Sequence, residues 1–155
     1  MKRFILITLV SLSLLLAACA STAQESASDR AAPGTGQAAP EAVGKVIKTD
    51  KGQYTDISVK ELETMLKQKD FVFVNVHIPF EGNLPQTDVS IPFDQIDQHL
   101  DQLPSDKKAK IVLYCRSDRM STIAAKQLAD LGYTNLFQLD GGFDQWKSSG
   151  LPLEK

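Results

Sequence analysis

Residues 110–121 read Lys110-Ile111-Val112-Leu113-Tyr114-Cys115-Arg116-Ser117-Asp118-Arg119-Met120-Ser121. The apolar run ending at Tyr114 suits a strand covered on both faces, as in a parallel sheet. Ser121 to Leu131 then sets Ala124, Leu128 and Leu131 on one helical face, with Gly132 where a helix-ending glycine belongs. A strand runs through a short polar loop into a helix.

Working outward, Phe71 to Val76 and Leu136 to Leu139 are two further buried-strand runs. Ser58-Val59-Lys60-Glu61 is a capping box, opening a helix whose apolar face is Leu62, Met65 and Leu66. Ile91-Pro92 ends a short extended segment, and Ile96, Leu100 and Leu103 mark an amphipathic helix. Phe143 to Ser149 makes a last helix, ended by Gly150 and Pro152. Lys45 to Lys48 and Tyr54 to Ile57, separated by Asp50-Lys51-Gly52, read as a strand pair or as a strand plus a loop. Strands alternating with helices predict an α/β fold, a mostly parallel sheet flanked by helices on both faces.

The start of the chain is different in kind. Met1, Lys2 and Arg3 precede Phe4 to Ala18, an uncharged run of 15 residues. A spanning helix needs ~20, so a cleaved signal peptide over 1–18 fits better. Leu16-Ala17-Ala18-Cys19 resembles the lipobox of bacterial lipoproteins, which implies a diacylglycerol on Cys19 and an exported chain anchored to a bacterial membrane in the cell envelope. Residues 19–44 form a tether; from Ala20 on, 16 of 25 residues are Ala, Ser, Gly or Pro, too little apolar surface to offset the entropy of ordering. Residues 45–155 supply one domain. The whole chain carries 17 Lys+Arg against 19 Asp+Glu, a net charge of −2. Such a balance leaves no basic stripe for a phosphate backbone and argues against a nucleic-acid partner.

With Cys19 lipidated, Cys115 is the remaining thiol and has no intramolecular disulfide partner. Its place at the carboxyl end of a buried strand is where open α/β sheets bind ligands. A thiolate there is stabilised by the helix N-terminus and by Arg116 and Arg119. A small buried hydrophobe is the competing reading. His77 and His99 lack metal-ligand spacing, so no metal is expected. Tyr133, Phe143 and Trp146 read as core, and Gly141-Gly142 as a turn.

Cys115-Arg116-Ser117-Asp118-Arg119-Met120-Ser121 resembles the active-site loop of rhodanese domains, C-R-x-G-x-R/T. Ile57 to Leu62, Ile91-Pro92-Phe93, Leu131-Gly132-Tyr133, Leu139 to Phe143 and Trp146-Lys147 resemble that family's segments in order, over about Tyr54 to Pro152. The resemblance implies a five-stranded sulfurtransferase fold and a persulfide on Cys115, with backbone N–H groups of residues 116 to 120 around the terminal sulfur. The donor would be thiosulfate or a persulfide, the acceptor a thiol, cyanide or a protein. No cofactor is implied.

Several positions depart from the family pattern. Asn75-Val76-His77 stands where D-V-R is common, which removes a charged pair that often braces the fold, and Gly82 to Thr87 only outlines the usual G-H-I-P-G-A. Glu81 stands at the family's glutamate. Asp118 replaces glycine, where aspartate tolerates left-handed backbone and its carboxylate offsets one arginine; Met120 replaces Arg or Thr. The C-x5-R loops of phosphatases and arsenate reductases would need arginine at position 121, which is Ser121. A non-catalytic sulfur-carrying, binding or redox-sensing module is the alternative function.

Overall fold

The computed structural model describes residues 43–155. The signal segment, Cys19 and all of the tether except Val43 and Gly44 lie outside the described residues.

The strands are β1 (Lys45–Lys48), β2 (Gln53–Ile57), β3 (Val72–Asn75), β4 (Val89–Ser90), β5 (Ile111–Tyr114) and β6 (Leu136–Leu139). The helices are α1 (Val59–Leu66), α2 (Arg119–Asp130) and α3 (Gly142–Ser148), with 3-10 turns at Phe93–Gln98 and Leu100–Gln102. The strands form one sheet in the order β1-β2-β6-β5-β3-β4. All neighbours run parallel except β1, which returns antiparallel along β2. Among the described residues no helix is long and apolar enough to cross a membrane.

The sheet is therefore mixed and six-stranded, against an expected five. The extra strand is β1, joined to β2 by a tight turn in which Thr49 N–H donates to the Gly52 carbonyl at 2.9 Å. The helix expected across Ile96, Leu100 and Leu103 is instead two 3-10 segments broken at His99. Its apolar positions still bury Ile96 and Leu103. Pro104 directly after Leu103 disfavours continued helix at that residue, which is extended with φ −107 and ψ 158. Helix α2 begins at Arg119, two residues before the expected Ser121. It closes as a Schellman motif: Tyr133 N–H bonds the Leu128 carbonyl, Gly132 N–H that of Ala129, and Gly132 has φ +89. The Ser58 capping box is present in both directions.

Strand β5 sits between β6 and β3, and all four of its residues are buried. Alternation along it divides the core. Ile111, Leu113 and Cys115 face the α2 side with Ala124, Ala125 and Leu128, while Val112 and Tyr114 face Leu62, Phe143 and Trp146. Tyr133, Phe143 and Trp146 are core, as read from the sequence.

The segment after β3 is pinned from two directions. The Tyr114 hydroxyl accepts the Leu84 N–H at 2.9 Å and lies 2.8 Å from Thr87 Oγ1. Burial pushes that phenol up to about 12. On the other side the chain end forms a two-way bridge, Asn83 N–H to Glu154 O and Glu154 N–H to Asn83 O, both at 2.7 Å. Tyr114→Phe strands the Leu84 amide and should lower stability by about 1–3 kcal/mol. The shift in urea midpoint measures it; no shift would mean that this bond does not hold the segment.

Candidate active site

The chain leaves β5 at Cys115 and enters α2 at Arg119. In the register of β3 with β5, Asn75 pairs Tyr114, and Val76 N–H donates to the Tyr114 carbonyl at 2.9 Å. His77 therefore rises beside the start of the cysteine loop. Its side chain, with Ile78, Pro79 and Glu81, forms one wall of a cleft of about 460 Å³; Cys115, Arg116, Ser117, Arg119, Met120 and Asp144 complete it.

Cys115 is only 2% exposed, so its sulfur lies at the inner end of that cleft. The Asp118 N–H donates to Sγ at 3.4 Å, and the buried Ser121 hydroxyl is also 3.4 Å away. Ser121 Oγ lies 2.5 Å from Gln138 Oε1 and 3.0 Å from the Asp118 carbonyl. One hydroxyl has one proton, so when Gln138 takes it the oxygen can only accept from the thiol. The first helical bond of α2 runs from Thr122 N–H to the Asp118 carbonyl, leaving the N–H groups of Arg119, Met120 and Ser121 without helical acceptors. The expected ring of amides from 116 to 120 is thus represented on the sulfur itself by Asp118 N–H.

The loop is tied to α3 from behind. Phe143 N–H donates to the Cys115 carbonyl at 2.9 Å and Asp144 N–H to the Arg116 carbonyl at 3.0 Å. Gly142 makes that approach possible: with φ +53, a Cβ on it would lie 2.3 Å from the Cys115 carbonyl oxygen. Gly141-Gly142 is thus more than a turn.

Residues 58–149 match the family described as the rhodanese-like domain. The chain belongs to that family. A sulfurtransferase of Allochromatium vinosum is 31% identical over 88 residues, covering 55% of this chain and 79% of that protein. An uncharacterized protein of Synechocystis is 33% identical over 101 residues, 64% of this chain and 55% of its own length. A tRNA uridine(34) hydroxylase of Hamiltonella defensa is 30% identical over 112 residues, 66% of this chain and 31% of its own. The chain thus spans about half and about a third of the latter two relatives. Among solved structures, a rhodanese-related protein from Thermoplasma volcanium superposes with a TM-score of 0.54 at 25% identity, covering 63% of this chain and 95% of that one.

Within this rhodanese-like domain three expectations change. Asp118 does adopt positive φ, at 144, but its carboxylate accepts from Gly141 N–H at 2.5 Å and from Gln138 Nε2 at 3.5 Å and bonds neither arginine. Arg116 does not bond the sulfur either. Its Nε donates to Asp144 Oδ2 at 3.2 Å and its Nη1 to Glu81 Oε1 at 3.4 Å. Arg119 and Ser117 are exposed at the cleft, and among the described residues Arg119 has no carboxylate partner. Third, Asn75 does not leave the fold unbraced. It is buried, donates to the Gly82 carbonyl and Asn83 Oδ1, and accepts from His77 N–H at 2.9 Å, so a neutral amide holds the loop.

Asp144 was not legible as a site residue, since it touches the loop from 28 positions downstream. The sequence does not mark His77 as a site residue either. Its Nε2 lies 3.0 Å from Glu81 Oε1, its ring meets Phe143 edge-on, and its Nδ1 is buried without a partner. An Nε2–H tautomer suits both nitrogens, because a buried N–H without an acceptor is costly. The His77 hydrogen bond is the largest cause holding the Glu81 carboxyl below its ordinary 4.5, with Arg116 adding to it. Lys147 first, then Arg116, holds Asp144 below 3.8. A carboxyl lowered in the fold stabilises it above the ordinary value, and that contribution is lost as pH falls through the lowered one. His77→Phe, which keeps an aromatic ring beside Phe143, should move the Glu81 titration upward toward 4.5 in a carboxyl-carbon NMR titration. An unmoved midpoint would show that His77 does not set it.

Proposed function

We propose that this rhodanese-like domain is a sulfurtransferase that carries sulfane sulfur on Cys115. The observation that carries the reading is the sulfur's setting: the inner end of an open cleft, with Asp118 N–H on it and the Ser121 hydroxyl 3.4 Å away, where the chain enters α2. The likeness to the Allochromatium sulfurtransferase supports it.

In the first step the Cys115 thiolate attacks the outer sulfur of the donor. A new S–S bond forms at Cys115, the donor's own S–S bond breaks, and its electron pair leaves with sulfite from thiosulfate or with a thiolate from an organic persulfide. In the second step a thiol, cyanide or a protein acceptor attacks the terminal sulfur, and the Cys115 thiolate returns. The N–H groups of Asp118, Arg119, Met120 and Ser121 hold the terminal sulfur's charge, as an oxyanion hole holds oxygen. Ser121 turns its proton from Gln138 to the sulfur as the thiolate forms. Arg119 draws anions to the mouth, while Ser117 and Met120 shape it.

The domain works at a bacterial membrane, on a lipid at Cys19 after removal of residues 1–18. Support comes from the short apolar run and the lipobox-like Leu16-Ala17-Ala18-Cys19. Two or three acyl chains hold a protein stably where one does not, each buried CH₂ contributing ~0.8 kcal/mol.

Incubated with thiosulfate or ethyl persulfide, the purified protein should gain the mass of one sulfur atom from at least one of them, lose it to cyanide and form thiocyanate over many turnovers. Cys115→Ser should gain none. Sulfur gain by the Cys115→Ser variant equal to that of the wild type, or a single turnover only, would sink the transferase reading. Cells fed a radiolabelled fatty acid should label the chain, and Cys19→Ser should abolish labelling; equal labelling of that variant would remove the anchor.

A further inference from the structure

The charges lining the mouth of the Cys115 cleft are Arg116 and Arg119 against Glu81 and Asp144. Arg116 lies between the two carboxylates, bonded to both. We propose that Glu81 and Asp144 are specificity-determining residues that cancel the attraction of Arg116 for an incoming anion, so that the cleft disfavours dianionic thiosulfate and takes organic persulfides bearing at most one charge on the reacting group. This rests on Cys115 being the sulfur-accepting thiol.

An exposed ion pair is ordinarily too weak and mobile to set a charge pattern. Here both carboxylates are fixed by something else. Glu81 is held by Nε2 of the buried His77, so swinging it away would leave both ring nitrogens of His77 without partners. Asp144 is held because its own N–H bonds the Arg116 carbonyl, which fastens its backbone to that of the arginine it pairs. Lys147 Nζ, 3.0 Å from Asp144 Oδ1, steadies it further from the side away from the cleft lining.

Arg116 keeps free N–H donors, but it meets a donor's charge with two carboxylates already offsetting its own. Coulomb energy scales with the product of the charges, so a dianion meets twice the repulsion from the fixed carboxylates that a monoanion meets. The only arginine there without a carboxylate partner among the described residues is Arg119. The remaining wall suits a carbon stem, for Ile78, Pro79 and Met120 line the same cleft. With such a donor, R–S–SH, the Cys115 thiolate takes the outer sulfur with its proton and R–S⁻ departs. One S–S bond is exchanged for another, and no oxidant or reductant is needed.

The test measures the rate at which purified full-length protein gains sulfur on Cys115, by intact mass, with thiosulfate and with ethyl persulfide as donors. Glu81→Gln and Asp144→Asn should each raise the ratio of the thiosulfate rate to the ethyl persulfide rate by about three- to tenfold at low ionic strength, with the gain shrinking as salt is added. If instead the clamp presents Arg116 to thiosulfate, the ratio falls. An unchanged or lowered ratio in either variant overturns the proposal while leaving the transferase reading intact. A wild-type protein that gains sulfur from neither donor removes both.

Discussion

The contact on which the site depends is the seating of α3 against the cysteine loop. A planar trans peptide points its carbonyl and its N–H in opposite directions. Once the carbonyls of Cys115 and Arg116 are bonded to the amides of Phe143 and Asp144, the N–H groups of Arg116 and Ser117 must face away from α3. The loop can then turn through Asp118 into α2, delivering one amide to the sulfur. The Asp118 side chain repeats the same fastening by accepting from Gly141 N–H. Backbone and side chain thus both tie the loop to the residues around Gly142, where a single added carbon has no room.

Strand β5 converts this local fastening into a position within the molecule. It is the shared wall of both halves of the core, and its alternation sends successive residues to opposite jobs. Tyr114 reaches one way to hold the segment bearing Gly82-Asn83-Leu84, and Cys115 faces the other way beneath α2. The loop that reacts and the loop that walls the cleft are therefore set by adjacent residues, the last of β5 and the first beyond it. A shift of β5 along its neighbours would displace both together.

Much of this was legible in the chain itself, for identifiable reasons. The buried strands announce themselves because a strand covered on both sides carries few polar positions, here only Asn75 in β3 and Gln138 in β6, and Ser58-Glu61 and Gly132 mark helix ends through bonds that span only a few residues. The seven residues from Cys115 to Ser121 are contiguous, so their convergence needed no tertiary information. Strand β1 was ambiguous because Lys45 and Lys48 bracket only two apolar residues, one of them largely exposed. Partnerships such as Arg116 with Asp144, or Glu81 with Arg116, join positions far apart and leave no periodic trace. Asn75 misled for a different reason: compared with an aspartate it looks like a lost charge, whereas its amide accepts from His77 N–H as a carboxylate could and also donates to two oxygens, of Gly82 and Asn83, that an ionised carboxylate could not bond.

The bridge between Asn83 and Glu154 has one more effect. Gly82 lies so close to the tail that a methyl group on it would sit 2.8 Å from the Glu154 carbonyl oxygen, so the two strips of backbone touch with nothing between them. The neighbouring residue is Glu81. Leu153 and Glu154 therefore act as a buttress behind the doorpost of the reaction chamber, and neither strip of backbone can shift without carrying the other along.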